Sequence, residues 1–208
     1  MDFTERFTKA VLCLTLGSVT LVAGCQQEKA VPREVSTRIT WREGDLVFRQ
    51  GTGAAGHAVS LADTGGAYSH VGVVVLRKGE PWVVHAVPGE PDFEGDPDRV
   101  KLEPVDAFFS RARAAHGTVM RDADSLLAAR VACHALDMYR RGVLFDHAYD
   151  DSDTTRVYCT ELVCLAYRRA GHLVHPARRC INLPGLKHAV VFPSALPPCL
   201  GLTRIHTF

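Results

Sequence analysis

The sequence predicts an α+β fold in which a small antiparallel sheet packs against a few helices. Two β-branched, apolar runs at 71–76 and 82–87 flank a short turn and are typical of a β-hairpin. Further strand-like runs precede and follow the hairpin, at 46–49, 100–102 and 117–120. Because hairpins and short connections join neighbouring antiparallel strands, these runs predict one sheet.

Two helices are predicted after the sheet. The first begins after Asp122 or Asp124, whose carboxylates are good N-caps, and ends at Gly142. The second begins near Cys159 and is stopped by Gly171. Both segments carry apolar residues at three- and four-residue spacing, so each is expected to pack one face on the sheet.

Composition narrows the classes of function. The chain has 208 residues, of which 47% are hydrophobic, and its 24 basic and 23 acidic residues leave a formal net charge of +1. Such a balance supports a packed core and gives no long-range field for nucleic acid, so we expect no nucleic-acid partner. No pattern requires a metal or an organic cofactor, and none is expected. The oligomeric state is left open.

The N-terminus predicts export and lipid anchoring. Residues 1–24 combine basic residues, an apolar stretch too short to span a bilayer and small residues at the end, the order of a secretory signal peptide. The run LVAGC at 21–25 resembles a bacterial lipobox, in which Cys25 is lipidated. Residues 25–38 then form a polar tether, and 39–208 form one domain. We expect attachment to the periplasmic face of the cell envelope, in the outer membrane where there are two membranes, because Gln26 rather than aspartate follows the cysteine.

Cys159 is the candidate nucleophile. It stands where the second helix begins, and the free N–H groups of a first helical turn favour a thiolate. A cysteine hydrolase also needs a base for the thiol proton and a third group that orients the base. The N–H of Cys159 is a candidate donor to a developing oxyanion.

Two histidines on the hairpin are candidates for those roles. If residues 78–79 form a two-residue turn, His70 lies opposite Val87, and His85 is the diagonal neighbour of His70 on the same face. Diagonal neighbours lie roughly 7–8 Å apart, within reach of side-chain contact. A slip of one residue would place the two rings on opposite faces, so the spacing permits the contact without compelling it.

Three segments resemble a known family. Residues 44–49 (GDLVFR), 68–74 (YSHVGVV) and 158–163 (YCTELV) are similar to the permuted NlpC-type, YiiX/YebB-like papain-fold cysteine hydrolases, over roughly 42–172. The resemblance implies a circularly permuted papain-like fold with Cys159 as nucleophile, His70 as base and His85 as the orienting group. Many relatives carry glutamate at the third position, and histidine there resembles the lecithin:retinol acyltransferase branch.

The resemblance implies a cysteine hydrolase that attacks an amide of a peptide or a cell-wall stem peptide and forms an acyl-enzyme. Tyr68, Tyr158 and Asp45 belong to the matching motifs and are expected to contact substrate. Two alternatives remain open. One is an acyltransferase or thioesterase acting on a lipid acyl chain, and the other is a lipoprotein that uses the cleft only to bind.

Other sequence patterns give less information about function. The glycines of 51–56 predict a flexible rim, and the acidic run 150–153 predicts a solvated turn. His172, His175 and Cys180 lack the spacing of a metal site. In an oxidising compartment, Cys180 is expected to pair with Cys199 as a disulfide.

Overall fold

The computed structural model describes residues 34–64, 66–150, 153–180 and 189–208. The predicted signal peptide, the predicted lipidation site Cys25 and most of the predicted tether lie outside the described residues. In the ranges that are described, no helix is both long and apolar enough to cross a membrane.

The described residues form ten strands and five α-helices. They are β1 Leu46–Gly51, α1 Ala54–Ala62, β2 His70–Arg77, β3 Glu80–Ala86, β4 Val100–Pro104, α2 Val105–Phe108, β5 Ala114–Arg121, α3 Ser125–Arg140, β6 Leu144–Phe145, β7 Arg156–Val157, α4 Cys159–Arg169, β8 Arg178–Cys180, β9 Ala189–Val191, α5 Leu196–Leu200 and β10 Thr203–Thr207. A 3₁₀ turn at Pro193–Ala195 precedes α5.

Six strands form one antiparallel sheet in the order β10-β5-β1-β2-β3-β4. The prediction of an α+β fold with a small antiparallel sheet is confirmed, and all five predicted strands belong to this sheet. Two short pairs, β6–β7 and β8–β9, lie outside it. Strand β10 was not predicted, because it is an edge strand of mostly exposed residues without an alternating apolar pattern.

The β2–β3 turn fixes the register of the hairpin. Lys78 and Gly79 both have positive φ, at 53° and 86°, as a two-residue turn of the primed type requires. Arg77 therefore pairs with Glu80, and Val73 with Val84. This is the register on which the predicted approach of His70 to His85 depends.

The main sheet has a core on each face. On the first, which we call the helix face, Val71, Val73 and Val75 pack in a cluster with residues of α3 and α4. On the second, the α2 face, Val74 packs in a cluster with residues of α2 and the segment before β1. Because successive side chains of a strand point to opposite faces, His70 and Val71 belong to different faces.

Two expectations about the surroundings of the sheet are wrong. The segment 51–56, expected to be a flexible rim, contains the start of α1, a helix without a single buried residue. Small side chains of good helix propensity at 54 and 55 outweigh the glycines there. Cys180 and Cys199, expected to pair, are both free thiols.

Candidate active site

Cys159 is the first residue of α4. The helix begins there because Glu161 accepts the Tyr158 N–H at 3.3 Å, which caps the first turn, while Leu162, Val163 and Ala166 are fully buried against the sheet. Burial of that apolar face therefore fixes where the thiol lies relative to β2.

The thiol lies among backbone N–H groups. The amides of Val71, Thr160 and Cys159 itself all interact with its sulfur, and the charge of Arg49 adds a smaller favourable effect. Burial is nevertheless the larger influence, and it raises the pKa of the Cys159 thiol to about 11. The N–H groups of the helix start favour the thiolate as expected, but desolvation outweighs them and the net effect is a raised pKa of the thiol.

His70 and His85 are in direct contact. His70 Nε2 and His85 Nδ1 lie 2.9 Å apart, and the two rings are nearly perpendicular. Burial lowers the pKa of His70 well below its ordinary value, and Arg49 and His85 lower it further. His70 is thus neutral at physiological pH and able to accept a proton. The contact predicted from the hairpin register is present.

The start of β2 carries His70 and lies against the N-terminus of α4. His70 projects to the α2 face, and the next residue, Val71, presents its N–H to the Cys159 sulfur. Across the described residues, no hydrogen bond joins the thiol directly to the His70 ring. The structure therefore places the His70 ring and an N–H that contacts the Cys159 sulfur on adjacent residues of one strand.

Behind His85 lies a cluster of charges. Glu103, on β4, places Oε1 3.1 Å from His85 Nε2, at ion-pair distance although the N–H does not point straight at the oxygen. Its other oxygen pairs with Arg113, and Arg49 NH1 lies 3.9 Å from Oε1. Arg49 also pairs with Glu90 at 2.5 Å. We call these four residues the charge cluster.

The cluster fixes the charge of Glu103. Burial by itself raises the pKa of Glu103, but contact with His85 and the charges of Arg113 and Arg49 outweigh burial and lower it to about 2. Phe108 packs against Arg49 and His70. The Arg49 guanidinium lies 4.5 Å from the Phe108 ring centroid, and the His70 ring stacks on Phe108 with the two ring centroids 5.7 Å apart. A carboxylate is therefore held at the far end of the two histidines.

A comparison with protein families settles the class. The model of the permuted papain-like amidases, the YaeF/YiiX or C92 family, matches residues 40–182. The chain belongs to this family. As a C92 member it is a cysteine peptidase- or amidase-like hydrolase with the permuted papain-like fold.

A solved structure supports the fold of this C92 chain. The crystal structure of the metalloprotein YiiX from Escherichia coli O157:H7 is similar with a TM-score of 0.66, covering 82% of this chain and 99% of its own at 22% identity. No curated protein matches the chain. Within the ranges described above, no group of three or more His, Cys, Asp or Glu side chains is arranged to hold a metal ion.

The residues expected to contact substrate have different surroundings. Tyr68 is partly exposed, with its ring against Phe48 and His116. Tyr158 is 3% exposed and its hydroxyl accepts the Val191 N–H at 3.3 Å. Of these two tyrosines, only Tyr68 has a side chain partly open to solvent.

Asp45, the third residue expected to contact substrate, is 1% exposed and pairs with Arg121 at 2.6 Å. It also accepts the Arg42 N–H at 2.9 Å, which closes the turn before β1. Its carboxylate therefore stabilises the entry to the sheet, and its burial does not support a substrate contact.

The charge cluster of this C92 chain was not predicted from the sequence. Glu103 was within reach of prediction, since His85 pairs with Lys101 and Glu103 is the next residue on the same face of β4. Arg49 pairs directly with His70 across β1 and β2. Glu90 and Arg113 come from loops, whose positions no local pattern specifies.

Proposed function

We propose that the protein is a cell-envelope cysteine hydrolase that cleaves an amide bond of a peptide, a cell-wall stem peptide included, through a thioester acyl-enzyme. The observation that carries the proposal is the Cys159 thiol among backbone N–H groups, one of which belongs to Val71, the residue that follows the paired histidine His70. Membership of an amidase family supports the same chemistry.

In the proposed reaction both reacting groups begin neutral. His70 takes the S–H proton as the sulfur attacks the carbonyl carbon, and the carbonyl oxygen becomes an oxyanion. The C–N bond then breaks, and His70 returns the proton to the departing amine. Water hydrolyses the thioester by the same route, which regenerates the thiol. The N–H groups of Cys159 and Thr160, already beside the sulfur, are the nearest donors to the oxyanion.

Attachment to the membrane belongs to the proposal. The lipobox-like run at 21–25 supports lipidation at Cys25, and the described chain begins nine residues later, at Glu34. A chain of that length reaches roughly 30 Å when extended. Metabolic labelling with a fatty-acid analogue, in wild type and in Cys25→Ser, tests the anchor. Label of equal intensity in both proteins would contradict it.

Acyl transfer is the second candidate function. The observation that favours it is the histidine that contacts His70, since a histidine in that place resembles the lecithin:retinol acyltransferase branch. The intermediate in that case is also a thioester on Cys159, so the identity of the acyl group distinguishes the two functions.

One experiment tests both. The purified protein is mixed separately with muropeptides and with phospholipid acyl esters, quenched in acid, and its intact mass and tryptic map are measured. We expect a peptidyl adduct on Cys159, new amine-terminated products from muropeptides, and neither in Cys159→Ala. Cys133→Ala, which removes an exposed cysteine of α3, is the matched control and should behave as wild type. A fatty-acyl adduct would favour acyl transfer, and an adduct that survives in Cys159→Ala would refute both.

A further inference from the structure

We propose that Glu103 is the positioning residue that selects which nitrogen of His70 is free to accept the thiol proton, acting through His85. This inference rests on the proposed function, because the proton is the one that Cys159 gives up. Glu103 lies behind both histidines, and its ion-pair partners are His85, Arg113 and Arg49.

The Glu103 carboxylate determines which nitrogen of His85 is protonated. An ionised carboxylate only accepts hydrogen bonds, so the His85 nitrogen 3.1 Å from Glu103 Oε1 must carry its proton. That nitrogen is Nε2, and in a neutral ring Nδ1 is then a lone pair. The opposite tautomer would set the Nε2 lone pair against the carboxylate, which is repulsive.

The tautomer of His85 in turn determines the tautomer of His70. His85 Nδ1 lies 2.9 Å from His70 Nε2, and a lone pair on the first requires a proton on the second. His70 is then protonated on Nε2 and unprotonated on Nδ1. Nδ1 is the nitrogen that remains for the thiol proton. If both rings had the opposite tautomer, His70 Nδ1 would carry a hydrogen and could not act as a base.

Charge balance supports a neutral His85. The charged groups of the cluster beside the two rings are Arg49 from β1, Glu90 and Arg113 from loops and Glu103 from β4. The two guanidinium groups and the two carboxylates cancel. His85 is fully buried, so an imidazolium there would add an uncompensated charge to an enclosed cluster.

The arrangement also prepares the ring for its change of charge. When His70 accepts the proton, its Nε2–H strengthens its bond to His85 Nδ1, and the His85 Nε2–H strengthens its contact with the carboxylate. Arg113 and Arg49 hold the carboxylate in place during this step. No proton needs to move between the histidines, and Glu103 remains ionised.

The test reads the tautomers directly. The full chain is labelled with ¹⁵N-histidine, and the ring nitrogens of His70 and His85 are assigned by their loss in His70→Gln and His85→Gln. In wild type at pH 7.5 we expect both rings to be protonated on Nε2 and unprotonated on Nδ1. A wild-type His85 protonated on Nδ1, or on both nitrogens, would overturn the inference whether or not any variant folds.

Two variants test whether Glu103 itself determines the tautomers. Glu103→Gln is expected to mix the tautomers of both rings and, with a substrate identified as above, to lower kcat by about 10²-fold while KM changes less than about twofold. Glu90→Gln removes a carboxylate from the same cluster without touching His85, and should leave both tautomers as in wild type. Tautomers unchanged in Glu103→Gln would refute the role of Glu103. Expected tautomers in a protein that never acylates Cys159 would instead refute the proposed function alone.

Discussion

The ionisation of Cys159 offers a quantitative test through alkylation by iodoacetamide. With a thiol pKa of about 11, the thiolate fraction at pH 7.5 is about 3 × 10⁻⁴, whereas an ordinary thiol of pKa ~8.5 has a fraction of ~0.1. Fewer thiolates therefore slow the reaction by about 300-fold. A more basic thiolate is more nucleophilic, with a Brønsted slope of about 0.4–0.5, and this restores about 15-fold. The expected net rate is about 20-fold below that of a free cysteine derivative.

The assay is residue-resolved mass spectrometry of alkylation between pH 6 and pH 10, with N-acetylcysteine as the external reference and exposed Cys133 as the internal one. The rate at Cys159 should rise about tenfold with each pH unit over the whole range. A rate that is already constant between pH 6 and pH 8 would mean that the thiolate and an imidazolium pre-exist as an ion pair. The neutral starting state derived from burial would then be wrong.

Three further predictions concern stability. Burial holds the pKa of His70 below its unfolded value of 6.5, so the unfolded state binds more protons than the folded state. The free energy of unfolding should therefore fall as the pH drops below about 6.5. In denaturant titrations, His70→Gln should reduce this dependence on pH. Gly72→Ala should cost about 1–3 kcal/mol in the same titrations, since the added Cβ would lie 2.4 Å from a methyl carbon of Val83. Asp124→Ala should cost about 1 kcal/mol in thermal melts, because Asp124 caps α3.

Each of these has its own control. A slope that persists unchanged in His70→Gln would assign the acid sensitivity to other groups. Gly53→Ala, where an added Cβ meets nothing within 4 Å, should be nearly neutral beside Gly72→Ala, and equal costs would contradict the steric argument. Asp153→Ala, which removes an exposed carboxylate outside any helix, serves for Asp124→Ala, and similar losses would show that the capping bonds contribute little.

The features that the sequence predicted depend on local rules. The two-residue turn at 78–79 sets the register of the hairpin, and the register brings His85 to His70. The limits of α3 and α4 follow from an N-cap, apolar spacing and terminating glycines, and the structure agrees within two residues. These signals act within a few residues and leave little for distant parts of the chain to decide.

The features that the sequence missed depend on long-range contact. Arg49 and Glu90 lie 41 residues apart in sequence and meet only because the loop after β3 returns to β1. The pKa of Cys159 could not be read from its helical position, because burial by β2 exceeds the effect of the helix start. Helix α1, with no buried face, has no amphipathic pattern by which to recognise it.

Strand β2 links two groups of the proposed chemistry covalently. His70 and Val71 share one peptide bond, and the first supplies the ring that receives a proton while the second supplies an amide beside the sulfur. A movement of the sheet at the start of β2 therefore displaces the His70 ring and the Val71 amide together.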